Sequence, residues 1–111
     1  MTPEQESLVE RLRHLLTDQP VLREVSMFGG RSFMVNEKLA VSALKSGGLL
    51  VRVDAAQHAE LLTRPGARQA TMGADREMGP GWIEVDAAAV EDDEGLAAWL
   101  DVALRHNREA D

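Results

Sequence analysis

The chain has 111 residues, 44% of them hydrophobic and 28% charged, with a net charge of −7 and no cysteine. That is the size and composition of one folded domain spanning 1–111, and it excludes disulfides, thiolate metal sites and a cysteine nucleophile. No apolar run approaches the ~18–20 residues that span a bilayer, and the polar, acidic start Met1–Glu6 is unlike a signal peptide, so a cytoplasmic location is expected.

The first segment predicts a helix from about Thr2 to Asp18. Thr2 is a suitable N-cap, Pro3 fits the first helical position, and Gln5 completes a capping-box pattern. Leu8, Val9, Leu12, Leu15 and Leu16 recur at helical spacing, and Gln19-Pro20 ends the segment. From Val21 the period changes to that of strands. Runs at Val21–Phe28, Arg31–Val35, Leu39–Leu44 and Leu49–Val53 are separated by Gly29-Gly30, Asn36-Glu37-Lys38 and Ser46-Gly47-Gly48, as in an antiparallel meander. The glycine pairs read as turn residues that supply positive φ. Asp54 caps a second helix reaching about Thr63, where Arg64-Pro65-Gly66 stops it. A weak strand at Arg68–Met72 precedes an exposed loop over Gly73–Gly81, and Trp82–Val85 is a confident strand. An acidic connection with a helical turn leads from Asp86 to Asp93. The last helix, Asp93–Glu109, buries Leu96, Trp99, Leu100, Ala103 and Leu104. The class is therefore α+β: an antiparallel sheet with three helices, ordered helix, three to four strands, helix, two strands, helix.

Chemistry is sparse. His14, His58 and His106 fall one on each helix, on solvated or half-buried faces, without the i+3 or i+4 partner that a helical metal pair needs. The acids Glu91–Glu94 suit a helix start and lack the alternation of a calcium loop. No serine lies in a nucleophile elbow or a Ser-x-x-Lys pattern, and neither glycine pair has a phosphate-cradling context. No catalytic residue, cofactor or metal is expected. Residues 56–111 carry five basic and twelve acidic side chains against seven of each in 1–55, which opposes duplex nucleic-acid binding. Met27 and Met34 read as core, whereas Met78 in the loop is a candidate contact residue.

Met27-Phe28-Gly29-Gly30 followed by Arg31-Ser32-Phe33-Met34-Val35-Asn36 resembles the start of the TfoX N-terminal domain family (TfoX/Sxy-like regulators). Leu49–Asp54 is similar to that family's leucine-rich strand leading into an aspartate helix cap, and Gly81-Trp82-Ile83-Glu84-Val85 to its Gly-Trp-x-x-Val strand. The resemblance implies a secretion-chaperone-like α+β fold and a regulator of natural competence and its transcription, without known enzymatic activity. Ser26 stands where the family often has Arg, and the longer competence regulators carry a second helical domain beyond this one. A single-domain relative implies an adaptor or small regulator working through a protein partner. The tentative partner-binding residues are Met27, Phe28, Gly29, Gly30, Arg31, Met78 and Trp82, with Phe28 also expected to pack in the core. The alternative is a small-molecule-binding or enzymatic domain with a pocket near the 73–81 loop. Open sheet edges and an apolar patch of Leu22, Val25 and Leu44 further predict a homodimer.

Overall fold

The computed structural model describes residues 1–19, 21–27, 30–71 and 76–109. Its first helix, α1, spans Pro3–Leu15. Thr2 is extended, and its hydroxyl accepts the Gln5 N–H at 3.1 Å, which supplies a partner to one of the orphan donors of the first turn. The capping box is not completed, however. The Gln5 side chain turns inward instead and donates to Ala43 O at 2.8 Å. The helix ends three residues before Asp18, because a turn closed by the Gln19 N–H on Leu16 O follows it. Leu15, expected on the buried stripe, is exposed.

Six strands follow the expected plan: β1 Leu22–Met27, β2 Gly30–Val35, β3 Lys38–Leu44, β4 Leu49–Arg52, β5 Ala67–Gln69 and β6 Trp82–Val85. They form one antiparallel sheet in the order β1-β2-β3-β4-β6-β5. Asn36 and Glu37 join β2 to β3 with φ of 53° and 66°, the primed two-residue turn that matches strand twist. Val21 begins no strand; it takes a φ of 50° in the turn before β1. The second helix is shorter than expected: a 3-10 turn at Ala55–Gln57, capped by Asp54, runs into α2 at only His58–Leu61. Another 3-10 turn at Ala87–Val90 leads into α3, Asp93–Glu109, whose bounds match the expectation.

All three helices press on one face of the sheet. Leu8, Val9, Leu12 and Leu16 from the α1 region, Leu61 from α2, and Leu96, Trp99, Leu100 and Ala103 from α3 meet Phe33, Val41, Ala43, Leu49, Val51, Ile83 and Val85 in a single core. Because side chains alternate along a strand, the neighbours of those residues face away from the helices. One cross-strand row of that second face can be followed over all six strands: Val25, Ser32, Ser42, Leu50, Glu84 and Arg68. Ser32 and Ser42 are fully buried there and share a hydrogen bond of 3.0 Å.

The alternation corrects two expectations. Leu22 pairs with Val35 and packs against the core, so it does not join Val25 and Leu44 in an outer patch. Met27 is 39% exposed rather than core, since it lies two residues beyond Val25 on the face of β1 turned away from the helices, at the end of the strand. Phe28 and Gly29 lie outside the described residues.

Candidate functional site

The residues singled out from the sequence fall at opposite ends of the sheet. Met27, Gly30 and Arg31 sit at the end where Gly30 pairs with both Met27 and Leu44. Trp82 pairs with Arg52 at the other end. Met78 lies beside that second end, its N–H bonded to Ala70 O at 2.9 Å. The structure therefore brings together the first group and separates it from the other two.

At the first end, Arg31 lies on the helix-facing side, opposite Ser26 on β1 and Ala43 on β3. The α1 N-terminus is fastened here twice: Gln5 bonds Ala43 O, and the Thr2 hydroxyl donates to Lys45 O at 2.5 Å. Between helix and hairpin a cavity of about 400 Å³ remains, lined by Gln5, Ser26, Met27, Gly30, Arg31 and Lys45, with Met1 at its rim. Gly30 does not take positive φ; it is glycine because a Cβ there would lie 2.5 Å from Ala43 O and 2.8 Å from Ser42 Oγ. The Arg31 Nε is buried without a hydrogen-bond partner. The nearby acid is already engaged: Glu24 accepts both Nε and Nη2 of Arg13, at 2.6 and 2.9 Å. That forked bond from Arg13, with the further positive field of Arg31, holds the Glu24 carboxyl below the usual carboxylate range against the opposing effect of its partial burial. Among the described residues Arg31 and Lys45 form no ion pair, whereas Arg11, Arg13, Arg23, Arg68 and Arg105 each do.

The second end is closed by its own bonds. His58 was expected on a solvated or half-buried face but is 8% exposed, its ring held between the Gly81 N–H and the Gln69 side chain. Its Nδ1 accepts the Gly81 N–H at 2.9 Å, which puts the ring proton on Nε2, 2.8 Å from Gln69 Oε1. Gln69 Nε2 in turn donates to Gly79 O and Trp82 O. Gly81 has a φ of +95°, and a Cβ on it would meet Arg52 Nη1 at 2.7 Å. Arg52 stacks on the Trp82 ring, 4.6 Å from its centroid. These bonds account for the Gly-Trp motif as structure. Beside it, Trp82, Arg52, Met34, Leu39 and Asn107 help line a cavity of about 330 Å³. Asn107 donates to Val35 O at 3.0 Å and leaves its Oδ1 buried without a partner.

Sequence reasoning missed Gln5 and Lys45 as members of the first group. Lys45 was within reach: once Gly30 is paired with Leu44, the next residue must flank the same opening. Gln5 was masked by its capping-box position. Residues 73–75 of the 73–81 loop, part of the border expected for a ligand pocket, lie outside the described residues. Among the described residues no three metal-ligating side chains gather.

No curated protein sequence matches the chain. The family model described as the TfoX N-terminal domain matches residues 14–107, from the last two residues of α1 to the last turn of α3, and with the fold and motif positions above it shows that this chain belongs to the TfoX N-terminal domain family.

Proposed function

We propose that this chain is a non-enzymatic regulatory domain, of the competence-related kind its family suggests, that acts by docking a protein partner at the Met27–Arg31 end of the sheet. The observation that carries this reading is the groove itself. Two cations that form no ion pair among the described residues and an exposed methionine converge on it, while the Gly81-Trp82 motif at the other end is bonded internally. The bond between the two buried serine hydroxyls supports a structural role for them, since each is committed to the other rather than to a base. The absence of an apolar helix long enough to cross a membrane, among the described residues, fits a partner met away from the bilayer core. Duplex DNA is not the expected partner, because the net charge of −7 opposes the phosphate backbone.

A photo-crosslinking amino acid in place of Met27, compared with one at the exposed Arg76, tests the site in the native host. A discrete adduct from position 27 alone supports the reading; equal labelling, or labelling only from position 76, counts against it. A second reading, a small-molecule-binding domain, is favoured by the orphan Asn107 Oδ1 beside the Trp82 cavity. A thermal-shift screen addresses it, since ligand at 100 times its Kd stabilises by about 2.7 kcal/mol. A homodimer through the face that carries Val25 and Leu44 is a proposal of the same standing, and light scattering tests it against the monomer mass of 12.1 kDa.

A further inference from the structure

We infer that the groove between α1 and the β1–β2 hairpin selects an acidic, extended segment of a partner protein, with one Asp or Glu carboxylate held between Arg31 and Lys45 and an adjacent apolar side chain covering Met27. The inference rests on the docking reading above and adds the chemistry of the partner.

Charge is the first argument. The chain is strongly acidic, and five of its arginines are matched to carboxylates within the fold. Among the described residues Arg31 has no such match, although its Nε is removed from water. A guanidinium held partly desolvated without an acceptor is unfavourable, and an incoming carboxylate relieves this through a charge-assisted bond. Glu24 does not fill that role: its oxygens accept from Arg13, and among the described residues it makes no ion pair with Arg31. Lys45 stands on the exposed turn after β3, with its carbonyl fixed by Thr2, so its ammonium is free to reach the same ligand.

Size and polarity are the second argument. About 400 Å³ suits one or two side chains rather than a folded surface. The remaining wall is mixed: Met27 supplies a soft apolar contact, and Ser26 and Gln5 supply polar ones. Two cations on an acidic domain are too few to track a nucleic-acid backbone, which requires several neutralised phosphates. A lone carboxylate flanked by an aliphatic residue matches both features.

The test is a selection of random dodecapeptides displayed on phage against the full chain, followed by synthesis of the enriched sequences and fluorescence-anisotropy titration. The expected peptides carry Asp or Glu next to an apolar residue. Replacing that acid by its amide, or making Arg31→Ala or Lys45→Ala, weakens binding roughly tenfold or more, and Arg31→Lys restores part of it. Circular dichroism melts confirm that each variant is folded. Enriched peptides without acids, or equal binding by the amide analogues, overturn the acidic class. If such peptides still lose binding in Met27→Asp, the docking reading survives that result. Indifference to Met27, Arg31 and Lys45 alike ends both ideas. Failure to enrich any peptide, or a concentration-dependent mass abolished by Arg31→Ala and pointing to a second copy as occupant, also overturns the proposal.

Discussion

The two ends of the sheet carry similar-looking sequence and use it differently. At one end Gly81-Trp82 is bracketed by a buried histidine, a glutamine with three carbonyl acceptors and a stacked arginine. At the other, Gly30-Arg31 adjoins a groove, and the arginine's Nε has no acceptor among the described residues. A glycine beside a large or charged residue is thus not a functional signal by itself. What separates the two is that the polar groups around Gly81 have partners inside the fold while the Arg31 Nε has none among the described residues; the Asn107 Oδ1 beside Trp82 is the exception at the closed end. Internal closure stabilises; an unpaired, half-desolvated cation costs stability and is tolerated where something outside the fold supplies the partner.

The comparison breaks or sharpens under substitution. The largest effect belongs to the core beneath both ends: Trp99→Ala should cost about 3–5 kcal/mol in denaturant unfolding, since the ring is 4% exposed among α3 and sheet side chains. A loss below about 1 kcal/mol there would mean that the helix layer is not what holds the two ends in register.

At the closed end, His58→Ala should cost about 1–3 kcal/mol by orphaning the Gly81 N–H and Gln69. Gly81→Ala should be comparably harmful, adding overpacking of about 1–3 kcal/mol to an unfavourable φ. If either variant melts like the parent, the second end is not closed by these bonds.

The open end should respond in the opposite sense. Arg31→Met removes an unsatisfied N–H while keeping an apolar stem, so unfolding should change by no more than about 0.5 kcal/mol or shift toward greater stability. A loss of about 2 kcal/mol or more would show that Arg31 holds the hairpin and would erase the contrast.

The smallest effect is a pH dependence at Glu24. Its carboxyl is held below the ordinary value by the bond from Arg13, so in the window beneath about pH 4.3 the unfolded chain binds more protons there than the folded one. The stabilisation is therefore complete above that window and is lost as pH falls through the lowered folded value. Melting temperatures of Glu24→Gln and the parent should differ at pH 7 and converge toward pH 3. A difference that widens on acidification would contradict the assignment.

Much of this architecture was legible in the sequence, because the residues that build it act locally. Thr2-Pro3, Asn36-Glu37 and Asp54 mark helix and hairpin boundaries through their own dihedrals and side-chain bonds. The α3 stripe repeats with a period only a helix can bury. Errors arose where the deciding partner is distant. Leu22 and Met27 are both apolar residues of β1, but the alternation set by pairing with β2 turns Leu22 toward the helices and Met27 away from them. His58 is buried because Gly81, 23 residues away, offers it an N–H. Gln5 serves Ala43 rather than its own cap, 38 residues away. The site was half legible for the same reason: the motif named Met27, Gly30 and Arg31, while Lys45 and Gln5 enter only through pairing.

Asn107 carries a further consequence, for the order in which the molecule is made. Its amide ties α3 to the carbonyls of Val35 and Lys38, and the Lys38 ammonium returns a bond to the Asn107 carbonyl. These contacts join residues about seventy positions apart, and α3 follows every strand in the chain. During synthesis at about 5–20 residues per second, all six strands are available several seconds at most before the helix that packs on β3 and β4. In that interval the part of the apolar face on β3 and β4 that α3 covers is still open. The hairpin turn at Asn36-Glu37 is the landing point for the late helix, so substitutions there should show their effect in refolding yield and aggregation more than in the melting point of the finished domain.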